Sequence, residues 1–114
     1  MSASTLYDRA EALERLDGDE ALFGTLAELF VAESAGYCAA LTAALASGDT
    51  AVLRREAHTV KSMLATFSYE AGRELAMQLE RLAADGRLDG AEALTLALID
   101  AVKRLADELA KERV

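Results

Sequence analysis

Residues 49–67 read Asp-Thr-Ala-Val-Leu-Arg-Arg-Glu-Ala-His-Thr-Val-Lys-Ser-Met-Leu-Ala-Thr-Phe, and they decide the fold. Leu53, Ala57, Val60, Leu64 and Phe67 recur at alternating steps of four and three. That period lines them along one side of an α-helix, with the polar residues on the other side. Asp49 stands where an N-cap belongs, because its carboxylate can accept hydrogen bonds from the free N–H groups of the first turn. The stretch predicts a helix that faces a core of other helices.

Working outward, the break Ser47-Gly48-Asp49 ends a preceding helical region over 20–47. Leu22, Phe23, Leu26, Leu29 and Phe30 form its apolar face, and Tyr37, Leu41 and Leu45 resume it beyond Gly36. One long helix or two shorter ones fit this pattern. In Asp17-Gly18-Asp19, Gly18 suits a left-handed helix ending and Asp19 a new cap. Upstream, Ser4 or Thr5 can cap a short first helix carrying Leu6, Ala10 and Leu13. Downstream, Ser68 can cap a helix containing Leu75, Leu79 and Leu82 that closes near Asp85-Gly86. Asp89-Gly90 then starts the last helix, with Leu94, Leu98, Ala101, Leu105 and Leu109. Short breaks between long helices predict antiparallel neighbours. The expected fold is all-α: an antiparallel up-and-down four-helix bundle with a short N-terminal helix, a single domain over 1–114.

Composition agrees. The 114 residues include 25 alanines and 19 leucines, no proline and only six aromatics, so helix propensity dominates almost everywhere. The net charge of −8 repels phosphate backbones and anionic lipid surfaces, which argues against a nucleic-acid binder and against membrane binding. The longest uncharged run, Ser34 to Gly48, has 15 residues and is too short by itself to span a bilayer. Met1-Ser2-Ala3-Ser4 lacks the basic and apolar regions of a signal peptide. The lone Cys38 can form no internal disulfide and reads as a small apolar residue. A soluble cytoplasmic domain, monomeric, is the expectation. One histidine and one cysteine cannot build a His/Cys zinc site, and no phosphate-binding glycine loop or nucleophile elbow is present. An enzyme complete in itself is not expected, nor is a cofactor.

His58 is the residue that carries chemistry. At roughly 100° per residue, it lies about 140° from the centre of the core stripe, on an accessible flank. Arg54, Arg55, Lys61 and Ser62 are its neighbours one turn away. Three of the 12 basic residues thus surround the only imidazole in an acidic chain. A neutral imidazole is a nucleophile, and neighbouring cations would stabilise a phosphoryl group arriving on it. A lone histidine among Lys and Arg is more often part of a solvated helix face, so spacing alone only suggests this chemistry.

The chain as a whole resembles the histidine-containing phosphotransfer (HPt) domain. That family's pattern is approximately H-[ST]-[LV]-K-[GS] within a bundle helix, and residues 57–62 read Ala-His-Thr-Val-Lys-Ser. The similarity runs upstream through residues 15–20, Leu29-Phe30, Leu45 and Gly48-Asp49, and downstream to Leu79-Glu80, over roughly 7–110. The resemblance implies that His58 Nε2 exchanges a phosphoryl group with an aspartate of a response-regulator receiver domain, or of a receiver within a hybrid histidine kinase. It implies Lys61 as the electrostatic partner of that group and Glu80 as the hydrogen-bond partner of the other ring nitrogen. Mg²⁺ is then expected on the receiver, not on this chain. Ser62 and Ala65 are assigned to receiver docking, as are Arg54 and Arg55, these two from their helix position rather than the motif. Two frequent glycines of the family are serines here, Ser62 and Ser68. A helical adaptor that carries no phosphate, and a general base formed by His58 with Glu80 in a cleft, are the competing readings. Exposure of His58 separates the cleft from the carrier.

Overall fold

Five α-helices and no strand make up the regular structure of residues 6–112, the part of the chain that the computed structural model describes. In chain order they are α1 (Arg9–Arg15), α2 (Glu20–Ser47), α3 (Thr50–Thr66), α4 (Glu70–Ala84) and α5 (Ala91–Lys111). The four longer helices pack as a ring, α3 between α2 and α4, and α5 between α4 and α2, with α1 against α2. α2 is one continuous helix of 28 residues. At 1.5 Å per residue it rises about 42 Å, which matches the 41 Å long axis of the molecule. α2 therefore runs its full length.

All five residues of the α3 stripe are buried. Phe67 closes that stripe with its ring edge-on to Phe23 and Phe30 of α2, at centroid distances of 5.8 and 5.6 Å. Such contacts are favourable beyond the area they bury. Leu79, Leu98, Ala101, Leu105 and Leu109 complete the core expected of α4 and α5, while Leu75, Leu82 and Leu94 pack against it half-buried. The α2 face differs from expectation. Phe23, Ala27 and Phe30 point inward, and Leu22 and Leu29 are 42% and 51% exposed. Each of those leucines precedes an inward phenylalanine, and the 100° turn to the next residue carries it off the core face.

The helix ends show which caps are local. Asp19 and Asp49 accept from the first-turn N–H groups of α2 and α3. Gly18, Gly48 and Gly86 take the left-handed conformation at breaks. Ser4 and Thr5 lie outside the described residues, and the side chain that caps α1 is Asp8. Ser68 does not cap α4, whose N-cap is Tyr69 without a side-chain bond. It instead closes α3 with φ of 55°. Ser68 N–H donates to Ala65 O and Tyr69 N–H to Leu64 O, the paired bonds of a helix ending that usually holds glycine. The Ser68 hydroxyl is buried there without a partner.

By length and composition alone, α2 is apolar enough to cross a bilayer, with a mean hydropathy of 1.5 over its best 18-residue window. The uncharged run Ser34–Gly48 understates the helix, because its flanks add only Glu20, Glu28 and Glu33. A helix built into a core passes the same test. Here, though, only 17% of that window is buried, so much of the apolar surface of α2 faces outward.

Candidate functional site

The site lies on the α3–α4 hairpin. Three residues, 67–69, join these helices, and their close approach is set at Gly72. A Cβ there would come within 2.9 Å of Leu64 Cδ1 and 3.0 Å of the Tyr69 ring. With no side chain at 72, α4 lies tightly along α3, and the next two turns bring Glu80 to His58.

His58 Nδ1 is 2.8 Å from Glu80 Oε2, and Lys61 Nζ is 2.6 Å from Glu80 Oε1. One carboxylate thus holds both side chains, one through each oxygen. The imidazole is 61% exposed, whereas Glu80 is 17% and Lys61 26% exposed. Partial burial works to raise the Glu80 pKa, but the hydrogen bonds and charges of Lys61 and His58 outweigh it and hold the carboxyl below its usual range. Near neutral pH Glu80 is ionised and can only accept. The proton in the His58–Glu80 bond therefore sits on Nδ1, which leaves the Nε2 lone pair of the neutral ring available. An exposed, oriented nitrogen nucleophile results.

The remaining expected residues divide. Ser62, one turn beyond His58, turns its hydroxyl back to donate to the His58 carbonyl, so it presents a small, self-satisfied surface. Ala65 is half-buried two turns along the same face. Arg54 and Arg55 are exposed, and the contact of Arg55 is with its neighbour Glu56 at 3.9 Å. No hydrogen bond or ion pair among the described residues joins either arginine to His58. Sequence reasoning missed Arg15, whose guanidinium Nη1 donates to Ala65 O from 50 residues away. It also missed that Lys61 rests on Glu80; a carboxylate placed on the next helix by the family pattern was the available signal. Cys38 is half-buried, its thiol directed at Ile99 O, and burial pushes its pKa up, which keeps it in the unreactive thiol form.

The sequence pattern of the Hpt domain family matches residues 25–112. The chain belongs to that family. Among solved structures, it is similar to the crystal structure of histidine-containing phosphotransfer protein B (HptB) from Pseudomonas aeruginosa PAO1. The TM-score is 0.86 at 24% identity, and the match covers 97% of this chain and 96% of that one. At that identity the likeness speaks for the fold. No curated protein sequence matches significantly.

Proposed function

We propose that this chain is a phosphorelay carrier whose His58 exchanges a phosphoryl group with the aspartate of a receiver domain. The observation that carries the reading is the exposed imidazole held through Nδ1 by an ionised Glu80. In the forward step the Nε2 lone pair attacks phosphorus of the aspartyl phosphate. The P–N bond forms as the P–O bond breaks, and that electron pair leaves with the aspartate carboxylate. The ring becomes an imidazolium that keeps its Nδ1 proton, and Glu80 stabilises the positive charge. Lys61, released from Glu80 Oε1, follows the phosphoryl oxygens as a mobile point charge. Ser62 and Ala65 offer small surface for the receiver, and Arg54 and Arg55 extend the positive field. Mg²⁺ belongs to the receiver, and this chain supplies a positioned nucleophile rather than catalysis of its own.

The antiparallel up-and-down course of α2 to α5, within one domain over 1–114, belongs to the same reading. The short connections at 48–49, 67–69 and 85–90 support it. A cytoplasmic setting, where a receiver would be met, is also part of this proposal. The exposure of the ring favours a carrier over a general base, which needs an enclosed cleft.

The test is incubation with phosphorylated receivers from the same cell, followed by mapping of acid-labile phosphate. Label on His58 that is absent in His58→Gln is the expected result. No transfer from any receiver, or equal labelling of His58→Gln, overturns the carrier. Receiver binding and signalling that survive His58→Ala would identify an adaptor instead.

A further inference from the structure

Arg15 reaches the phosphoryl face from outside the α3–α4 hairpin. It stands in the last turn of α1. Its Nη1 donates to Ala65 O, and its Nη2 lies 3.3 Å from Glu11 Oε1. The carbonyl it meets does not depend on it, because Ser68 N–H already donates to Ala65 O at 3.0 Å. The pair with Glu11 is exposed on both sides, and such pairs stabilise a helix little. Glu70, close enough to feel the Arg15 charge, is bound by Arg73 instead, at 3.2 and 2.5 Å. A guanidinium has five donors. Two are engaged among the described residues, and the side chain is 49% exposed. Its place matters more than its bonds. His58, Ser62 and Ala65 follow one another along one side of α3 at steps of four and three, and Arg15 ends that row. From His58 to Ala65 the axis advances about 10 Å. A transient interface of about 600 Å² per partner, centred on the imidazole, reaches about 14 Å from its centre. Arg15 falls within that footprint.

We propose that Arg15 is a specificity-determining residue for the phosphoryl exchange, binding a surface carboxylate of the docked receiver, an inference that rests on the phosphorelay reading of His58. The guanidinium names the group it takes. It is planar and permanently charged, and its fork matches a carboxylate through two parallel hydrogen bonds. The small side chains of Ser62 and Ala65 let a partner surface come down to its level. Charge narrows the choice further. The chain as a whole, with net charge −8, repels an acidic surface and attracts it only where cations gather. Arg54 precedes His58 by one turn and Arg15 lies beyond Ala65, so the row has a cation at each end. Around Arg15 in sequence, Glu11, Glu14 and Asp17 are exposed. A receiver carboxylate that misses Arg15 therefore meets like charge. Such an arrangement fixes the orientation of docking and rejects wrong partners more than it adds raw affinity.

The test is the initial rate of transfer to His58 from a phosphorylated receiver that labels the wild type, measured against receiver concentration. Arg15→Ala should raise KM about tenfold and change kcat less than about twofold, since a docking contact is made equally before and during transfer. Arg15→Lys keeps the charge without the fork and should recover part of the loss, to about a threefold rise in KM. Receiver carboxylates are then converted one at a time to amides. One of them should raise KM against the wild type but not against Arg15→Ala. Phosphoramidate, which gives its phosphoryl group to Nε2 and releases ammonia, needs no docking and reads the nucleophile alone. An unchanged KM in Arg15→Ala overturns the proposal. So does a fall in kcat or in phosphoramidate labelling as large as the rise in KM, or the absence of any receiver carboxylate coupled to Arg15. Each of these leaves His58 as the carrier. A wild type that takes label from phosphoramidate but from no receiver overturns the carrier reading, and this proposal with it.

Discussion

Gly72 on α4 and Gly36 on α2 are both glycines within helices, and their surroundings are opposite. At Gly72 an added Cβ would press on Leu64 and the Tyr69 ring; at Gly36 it would meet open space. Around Gly72 the chain has drawn two helices together and set a carboxylate, a lysine and an imidazole on the joint. Around Gly36 it has left one helix with an uncharged outer face. The same residue thus marks a close approach of two helices at position 72 and open surroundings, among the described residues, at position 36.

Gly72→Val should break the first of these. Its branched side chain enters a filled joint, and about 3 kcal/mol of stability is expected to be lost in urea unfolding. Gly36→Ala should do the reverse, adding about 0.5–1 kcal/mol in dilute solution from helix propensity. A loss at Gly36 as large as at Gly72 would erase the distinction between the two faces.

Within the joint, Glu80→Ala removes the group that fixes the ring tautomer. The rate of phosphoryl acceptance from a receiver should fall about a hundredfold, short of the roughly 10⁴-fold loss seen when a triad is left with the wrong tautomer. Glu80→Gln can still accept from Nδ1–H and should recover much of that rate. Stopped-flow or quench measurement with the same phosphorylated receiver separates the two. Glu80 also shapes acid stability. Its folded pKa lies below the ordinary 4.5, so its contribution is present above that value and lost as pH falls through the lowered one. Unfolding curves recorded from pH 5 downward should be flatter for Glu80→Gln than for the wild type.

A smaller gain is expected at the turn beside the joint. Ser68 adopts a left-handed φ of 55° and buries an unpartnered hydroxyl. Ser68→Gly removes both burdens but loosens the unfolded chain, leaving a net gain of about 1 kcal/mol. An unchanged or lowered midpoint in urea would show that the serine conformation carries no strain.

Sequence made the inward side of α3 fully legible, because a buried stripe of five residues at steps of four and three admits one arrangement. Asp19 and Asp49 were legible as caps since capping depends on neighbours two or three positions away. Features set by tertiary contact were not. The α2 apolar residues were too many for a wheel to choose among, and only the packing of Phe23 and Phe30 on Phe67 turned Leu22 and Leu29 outward. Ser68 looked like a cap because its left-handed φ is invisible in its identity. At the site, the wheel found the flank of His58 but treated every cation one turn away alike. Lys61 leans toward α4 and meets Glu80, while Arg54 and Arg55 do not. Arg15 reached Ala65 over a span that no local pattern encodes.

The carboxylate shared by Lys61 and His58 has an electrical consequence. With the imidazole in the neutral form that a nucleophile needs, the three side chains sum to zero, the Glu80 carboxylate against the Lys61 ammonium. On the proposed reading, transfer would add a dianionic phosphoryl group and make the ring a cation, so the cluster would shift by one negative charge. Seen from beyond a Debye length of about 8 Å, the resting site is nearly silent against the acidic surface. A loaded site would not be, and a partner approaching the α3–α4 face would then meet two different fields from one fold.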